Sequence, residues 1–541
     1  MAAPSAIMLD LDVSLSKLIE ECSSRGHLEI LQNLTKAFRE QEFRAGVQKS
    51  VFQSLQQILS KLSKEIHAFR DKKETEALSL CLQMTAECFR IQRNACVQCA
   101  RNQCLMSDLS SHLPTTLNLN NFKYVNSELL RLNPVVFFCL TFPVLRCGIQ
   151  FLGNFAVGNQ VCKDDVWKHG FPHLFLTFLD HSDEKTVAYC SMVLHTCLDA
   201  EKVTDLVLGE EHQDVAMKVI SLCRKQPELD WPVLIVTQHF LKSSELVEKM
   251  FARLNNQERI TLLELVMTQL GEEEEAIEES GISGRLAKFF ASCFEDQCKA
   301  VLTLASDPSP TDEGALFVMG LLDVLCEMTS DRKKFMFLQN YSELLKTTVE
   351  LLKEVHFVGK ASRNVFTATH DFSELGASGN PAMGFKAHLI RLIGNLCHHN
   401  RSNQDKVREL DGIALLLDNC NIDGNNPFIS QWAIFAVRNV LDQNEQNQEV
   451  LRALEGRGVA DDSALREMGF RLEDRDGSLL LRPFSSYSPP RNLCSSDFGF
   501  LRVATHSVGH RAFSCCTPKL WNSVPKNIRE TPSLKSFQIH I

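Results

Sequence analysis

Cys96 and Cys99, three residues apart with Cys88 and Cys104 nearby, are the best metal-ligating candidates in this 541-residue chain. A zinc module needs a second such pair at a set distance, and none follows. On one helix, residues three apart share a face, so the pair reads as core packing. Gly281-Ile282-Ser283-Gly284 lacks the preceding strand and the following lysine of a phosphate-binding loop. His398-His399 precedes the polar run Asn400 to Asn403 and reads as a surface turn. Glu272 to Glu275 reads as a solvated linker, with docking of a basic partner as the sharper alternative. No serine or cysteine nucleophile announces a histidine and an acid to work with. The expectation is a non-enzymatic chain with no cofactor and no metal.

The amides are more informative. Asn94, Asn154, Asn395 and Asn439 each end an apolar stretch, and each is followed by a second pair: Asn102-Gln103, Asn159-Gln160, Asn403-Gln404 and Asn447-Gln448. In three of the four copies the second asparagine comes eight residues after the first. Asn395 and Asn439 lie 44 residues apart, and 42 residues beyond Asn154 is Thr196, at the end of a degenerate copy, Val187 to Leu194. Glu327 holds the same place in Leu321 to Glu327. The 68 residues from Glu327 to Asn395 are about 26 too many, and a Gly/Ser/Asn-rich stretch, Gly359 to Gly384, accounts for them. A period of about 40–47 residues is that of armadillo and HEAT repeats, whose units bury their apolar faces only by stacking.

Composition agrees. Hydrophobic residues make up 44% and charged residues 23%, and 25 glycines and 17 prolines leave long stretches without breakers. The net charge of -10 is uneven: from Phe484 onward seven Lys/Arg face two Asp/Glu, and the acidic body argues against nucleic acid. Met1 to Leu15 lacks a basic start and a long apolar run, so the 20 cysteines are expected to be reduced core thiols in the cytoplasm. The strongest apolar run, Pro134 to Val144, is too short for a bilayer, which takes ~20 residues, so no membrane insertion is expected.

The expected fold is therefore all-α, an armadillo/HEAT-like helical-repeat solenoid. A short β-hairpin is expected near 469–482, around Arg475-Asp476-Gly477. The map is an N-terminal lead over 1–27, armadillo-like repeats over 28–358 and a flexible insertion loop over 359–384. Two further repeats and the hairpin fill 385–482, and an atypical basic, disordered tail fills 483–541.

Several segments resemble the ataxin-10 family. His388 to Cys397, Asn403 to Val407, Leu410 to Ile413, Asn419-Cys420-Asn421 and Asn425 to Phe428 are similar to its C-terminal domain. Gly148 to Asn154, Leu254 to Arg259 and Leu321 to Met328 also match, and the resemblance covers roughly 28–482. Asn133 to Phe142 departs from the family pattern, and the tail resembles instead the end of retrotransposon reverse-transcriptase reading frames. The resemblance implies a protein–protein scaffold acting in cytokinesis, neurite outgrowth and neuronal survival. It implies contact with O-GlcNAc transferase and G-protein β subunits, and a cytoplasmic, perinuclear, centrosomal and midbody location. Self-association stays open. In armadillo repeats the third helix lines a groove, and the resemblance suggests that its asparagine binds a partner's backbone. The candidate groove pairs, one turn apart, are Arg90/Asn94, Gln150/Asn154, Arg391/Asn395 and Phe435/Asn439. The competing role for these asparagines is to bond within the repeat and position the next turn. A nuclear-transport-type armadillo adaptor is the alternative function; such adaptors usually carry a tryptophan near the asparagine on the groove face, and none of the four positions one turn before the asparagines here is tryptophan.

Overall fold

The computed structural model describes residues 13–72, 74–109, 134–272, 282–309, 312–330, 333–369, 381–421, 423–453, 470–475 and 478–483. The chain divides into two compact units, Met1–Leu265 and Val266–Ile541. Among the described residues, no helix is long and apolar enough to cross a membrane.

In the first unit, α1 (Arg25–Ala37), α2 (Gln41–Gly46) and α3 (Lys49–Lys72) lead to α4 (Thr75–Cys96) and α5 (Ala100–Ser107). Then come α6 (Pro134–Ala156), α7 (Gln160–Gly170), α8 (His173–Phe178), α9 (Glu184–Cys197) and α10 (Ala200–Asp205). The unit continues with α11 (Glu210–Lys225), α12 (Asp230–Gln238) and α13 (Ser244–Arg253), and α14 (Asn256–Glu272) spans the division. Helices α1, α4, α6, α9 and α12 pack in that order, each against the next. They are the third helices of successive repeats. Side-chain oxygens start many of the helices: Ser24, Asn159, Asp183, Asp199 and Ser243 each accept from the amide three residues on.

In the second unit, α15 (Gly284–Gln297), α16 (Glu313–Met328) and α17 (Ser342–Ala361) precede α18 (Phe385–Cys397), α19 (Arg401–Glu409) and α20 (Gly412–Asp418). The array ends with α21 (Ile429–Leu441) and α22 (Glu445–Ala453). Here α16, α18 and α21 are the successive third helices. Strands β1 (Phe470–Arg475) and β2 (Ser478–Pro483) pair antiparallel, Phe470 opposite Pro483 and Arg475 opposite Ser478.

The cores are largely phenylalanine. Phe38, Phe52, Phe89, Phe151, Phe155, Phe175 and Phe178 are fully buried in the first unit; Phe290, Phe294, Phe317 and Phe335 are fully buried in the second. Each contributes about 1.5–3 kcal/mol of transfer free energy. Most of the described cysteines belong to the same cores, with Cys88, Cys96, Cys190, Cys326 and Cys397 completely buried and unbridged, but Cys22 and Cys104 are exposed, so the expectation of core thiols fails for those two. Burial pushes the Cys190, Cys326 and Cys397 thiols up, Cys326 to about 12, so they pack as small apolar groups.

Several expectations change. The N-terminal lead, expected as a segment apart from the repeats, is partly built into the fold: residues 13–20 are helical with Leu15 and Leu18 fully buried, and α1 starts inside the lead at Arg25. The insertion loop does not start at Gly359, because α17 runs on to Ala361. Residues 362–369 are tied down. Asn364 donates to Val358 O at 2.9 Å, Thr367 Oγ1 donates to Gly359 O at 2.9 Å, and Phe366 is buried. A β-carbon on Gly359 would lie 2.5 Å from Phe366 O, so glycine is what lets this segment dock on α17. Helix α6 runs unbroken from Pro134 through Pro143, across the stretch that departs from the family pattern. Glu272 ends α14, and Glu273 to Glu275 lie outside the described residues, as does the tail from 484.

Close approach explains the glycine before the asparagine. A β-carbon on Gly394 would lie 2.7 Å from Phe435 Cδ1 and 3.1 Å from the Ala436 Cα in the next third helix. On Gly153 it would meet the mobile methyl end of Met192, Cε at 2.6 Å. Gly394→Ala is therefore expected to lower stability by about 1–3 kcal/mol through overpacking. Gly153→Ala should stay within about 1 kcal/mol of neutral, because helix propensity offsets a small methionine shift. Urea unfolding midpoints of the two variants check this ranking.

Candidate functional site

The third-helix face holds all the candidate groove residues, and the first question is what its asparagines bond. Two of the third helices, α4 and α18, tighten in their last turn. Val97 N bonds Asn94 O, and His398 N bonds Asn395 O, so the carbonyls of Arg93 and Gly394 lose their helical donors. The asparagine of the following repeat replaces them. Asn154 Nδ2 donates to Arg93 O at 3.2 Å, and Asn439 Nδ2 donates to Gly394 O at 2.9 Å. Asn94 does the same to Thr35 O at 3.2 Å, and Asn395 to Cys326 O at 3.1 Å. Asn395 also reaches Thr329 Oγ1 at 3.0 Å. Asn94, Asn395 and Asn439 are buried, and Asn154 is half-buried. The ladder thus spends its amide donors on stacking one repeat on another.

The turn that follows is built alike in four copies. The fourth residue after the asparagine is left-handed: Gln98 (φ 50), Gly158 (φ 72), His399 (φ 50) and Gln443 (φ 51). The fifth starts the next helix. Asn159, Asn400 and Asn444 there accept from the backbone amides of Cys162, Asn403 and Asn447. Eight residues on, Asn403 Nδ2 donates to Leu396 O at 2.8 Å in its own repeat and to Gln339 O at 2.7 Å in the preceding one. Asn102 bonds Ala95 O and Arg44 O, and Asn447 bonds Val440 O and Gln404 O, in the same way. The glutamine one residue on reaches the next repeat: Gln103 bonds Asn154 O and Val157 O, and Gln404 bonds Asn439 O.

This register corrects two readings of the sequence. Asn159-Gln160 is not equivalent to the other pairs, because Asn159 holds the helix-start position and the eighth residue of that copy is the buried Cys162. Cys96 and Cys99 do not share a helix: Cys96 ends α4, left-handed Gln98 intervenes, and Cys99 begins α5. Among the described residues, no three His, Cys, Asp or Glu side chains are grouped to hold a metal ion. The degenerate copy at Thr196 lacks the ladder bond, since Thr196 Oγ1 donates to Met192 O in its own helix.

The residues beside the asparagines differ between the units. In the second unit Arg391 pairs with Glu327 at 3.2 Å, and its guanidinium lies 5.0 Å over the Trp432 ring. Three successive third helices are crossed by this one chain of contacts. His388 and Asp323 pair next to it. Phe435 does not stand clear in a groove; its ring packs over Gly394. In the first unit Arg90 pairs with Glu87, and Arg146 with Asp183, whose Oδ2 accepts from Arg146 Nε at 2.8 Å. Burial works against the Asp183 charge, but Arg146 and Thr186 hold its carboxyl at about 2. Gln150 accepts from Arg93 at 2.7 Å. The sequence reading placed Glu327 in the repeat but not its ion pair, and it passed over Arg93, Trp432 and Gln339 as site residues. Gln339 donates to Asn395 O and His398 O at 3.0 Å, as the paired glutamines do, but comes twelve residues after Glu327 rather than nine after an asparagine.

A histidine cluster follows on the same face of the first unit. His195 Nε2 lies 2.9 Å from Gln238 Oε1, and the His195 and His239 rings are 5.3 Å apart. Burial, with His195 and Lys242 nearby, lowers the His239 pKa from 6.5 to about 4. The unfolded chain therefore takes up this proton more readily than the native one. The stabilising contribution is complete above about 6.5 and disappears as pH falls through about 4. His239→Gln is expected to flatten the fall in urea midpoint between these pH values.

Left-handed turns, stacked third helices and a cross-repeat amide ladder define an armadillo-like helical-repeat protein. Residues 385–482 match the family model described as the spinocerebellar ataxia type 10 protein domain. The chain is 44% identical over 460 residues to Ataxin-10 of Homo sapiens, covering 84% of this chain and 94% of that protein. It is 43% identical over 454 residues to Ataxin-10 of Xenopus tropicalis, covering 84% and 91%. The chain belongs to the ataxin-10 family. A designed armadillo repeat protein overlays 61% of this chain and 99% of its own at 9% identity and a TM-score of 0.21. At that score the overlay adds nothing to the fold, which rests on the repeat geometry.

Proposed function

We propose that the chain is a non-catalytic scaffold that holds other proteins against its third-helix faces. One observation carries this: stacking occupies the asparagine amides but leaves Arg391, Glu327 and Trp432 half-buried, partly open to solvent and fixed in one geometry. Side chains already held in place lose little entropy when a partner arrives. Family membership supports roles in cytokinesis, neurite outgrowth and neuronal survival, in the cytoplasm and at the centrosome and midbody. The partners expected on the same ground are O-GlcNAc transferase and G-protein β subunits. The adaptor reading fares worse. Trp432 stands seven residues before Asn439, and the Arg391 cation already lies over its ring.

Affinity purification of the full chain from a reduced lysate tests the proposal. O-GlcNAc transferase or G-protein β should be retained by the wild type. Trp432→Ala should lower that retention about tenfold, the effect of losing a 1–2 kcal/mol contact. Retention of neither protein, or equal retention by the variant, would count against the scaffold face.

A further inference from the structure

We infer that the first unit takes an acidic peptide segment on the Arg93 guanidinium, flanked by Arg90, Arg146 and Gln150; this rests on the scaffold reading above. Arg90 and Arg146 each have a carboxylate of their own, Glu87 and Asp183. Arg93 has none among the described residues. Its Nε and Nη2 donate to Asn94 Oδ1 at 3.2 and 3.0 Å, and its Nη1 donates to Gln150 Oε1 at 2.7 Å. All of these acceptors are uncharged. A guanidinium carries five N–H donors, so two remain for a ligand.

The setting is cationic beyond one residue. Arg90 and Arg93 both lie by the buried Cys147 thiol, pulling against the burial that raises it. Glu87 is turned inward, buried and accepting from Thr35 Oγ1 at 2.7 Å. This patch therefore keeps an uncompensated positive charge in a chain of net charge -10. Because Asn94 and Gln150 hold the Arg93 fork from two adjacent third helices, it is already oriented for a carboxylate.

A peptide suits the site better than a small anion. Asn154 donates Nδ2 to Arg93 O, which locks it beside the arginine, and its half-buried Oδ1 has no donor among the described residues. An acidic peptide offers both things the pair lacks: a carboxylate for Arg93 and a backbone N–H for Asn154. Inorganic phosphate offers only the first as a full anion.

The test uses the full chain and two fluorescein-labelled peptides, decaglutamate and decaglutamine, read by anisotropy at low and physiological salt. Decaglutamate should bind at least about tenfold more tightly than decaglutamine, the effect of one charge-assisted contact, and weaken with salt. Arg93→Gln should remove that preference, with Arg93→Lys in between because it keeps the charge and loses the fork. Arg438→Gln, which removes a cation from the second unit, should leave the preference intact. Thermal melts establish that the variants are folded, and Arg93→Lys serves if Arg93→Gln is not. Equal binding of the two peptides, or a preference that survives Arg93→Gln or falls equally with Arg438→Gln, overturns the assignment. Absence of any peptide preference in the wild-type chain alongside intact retention of O-GlcNAc transferase or G-protein β sinks this inference alone; failure of that retention sinks the scaffold reading.

Discussion

Asp423→Ala is expected to cost about 3–5 kcal/mol of unfolding free energy, because it strands a buried lysine. Lys386 Nζ lies 3.1 Å from Asp423 Oδ2, and the two side chains are only 5% and 4% exposed. The carboxylate does more than neutralise. Its Oδ1 accepts from the backbone amides of Thr369 at 3.1 Å and Asn425 at 3.0 Å, and its Oδ2 accepts from Asn426 Nδ2 at 2.8 Å. Asn426 Oδ1 in turn accepts from Lys386 N and Ala387 N, the second and third amides of α18. Helix α18 needs this help, since its own starting residue, left-handed Gly384, has no side chain to supply a cap. One aspartate therefore joins the docked segment 362–369, the turn before α21 and the start of α18. Urea unfolding of the full chain measures the loss. Adding Lys386→Met should restore a large part of it, because the stranded charge then disappears. A loss under about 1 kcal/mol for Asp423→Ala alone would mean that water reaches Lys386 and that the pair is not a structural node.

The repeat was legible in the sequence, and the role of its asparagines was not. Periodicity reports which positions recur, and Asn94, Asn154, Asn395 and Asn439 recur whether their amides face a partner's backbone or the previous repeat's. Both roles require a side chain that donates to a carbonyl. What decides between them is a carbonyl left without a helical donor by the tightened last turn, and that depends on the backbone of a neighbour 45 to 69 residues away. The same distance hides the turn at 423–426. Asn425 and Asn426 were visible as a family resemblance, but their work is to bond Thr367 and Lys386, 58 and 40 residues back. Asn159 misled because an asparagine suits both the helix-start and the eighth position, and the left-handed turn at Gly158 is kept while the register of the pair changes. Glu327 was placed correctly in the repeat, yet its pairing with Arg391 could not be read before α16 and α18 were known to pack side by side.

Asn403→Ala is expected to lower stability by about 2–4 kcal/mol, and Asn403→Asp by more. Asn403 is buried, and a single nitrogen serves two carbonyls, Gln339 O at 2.7 Å and Leu396 O at 2.8 Å. Alanine leaves Leu396 O without that donor and leaves Gln339 O with only the longer bond from Asn400 Nδ2 at 3.4 Å, at about 1–3 kcal/mol for each buried group left poorly satisfied. Aspartate has nearly the same shape, so packing is conserved and only the chemistry changes. It removes the donor and turns a negative charge toward two carbonyl oxygens, so the isosteric substitution should be the worse one. The order separates two ideas about the ladder. If the asparagine were present for shape, aspartate would be the milder change. If it is present to carry N–H groups from one repeat to the carbonyls of another, alanine is the milder change. The loss should also appear in cooperativity. A repeat array gains much of its stability from contacts between neighbours, and this amide joins the repeat ending at Leu396 to the one carrying Gln339. Native-state hydrogen exchange should then show α19 to α22 opening in Asn403→Asp at a lower free energy than α15 and α16. Uniform exchange across the second unit would mean that the coupling runs through the apolar core instead.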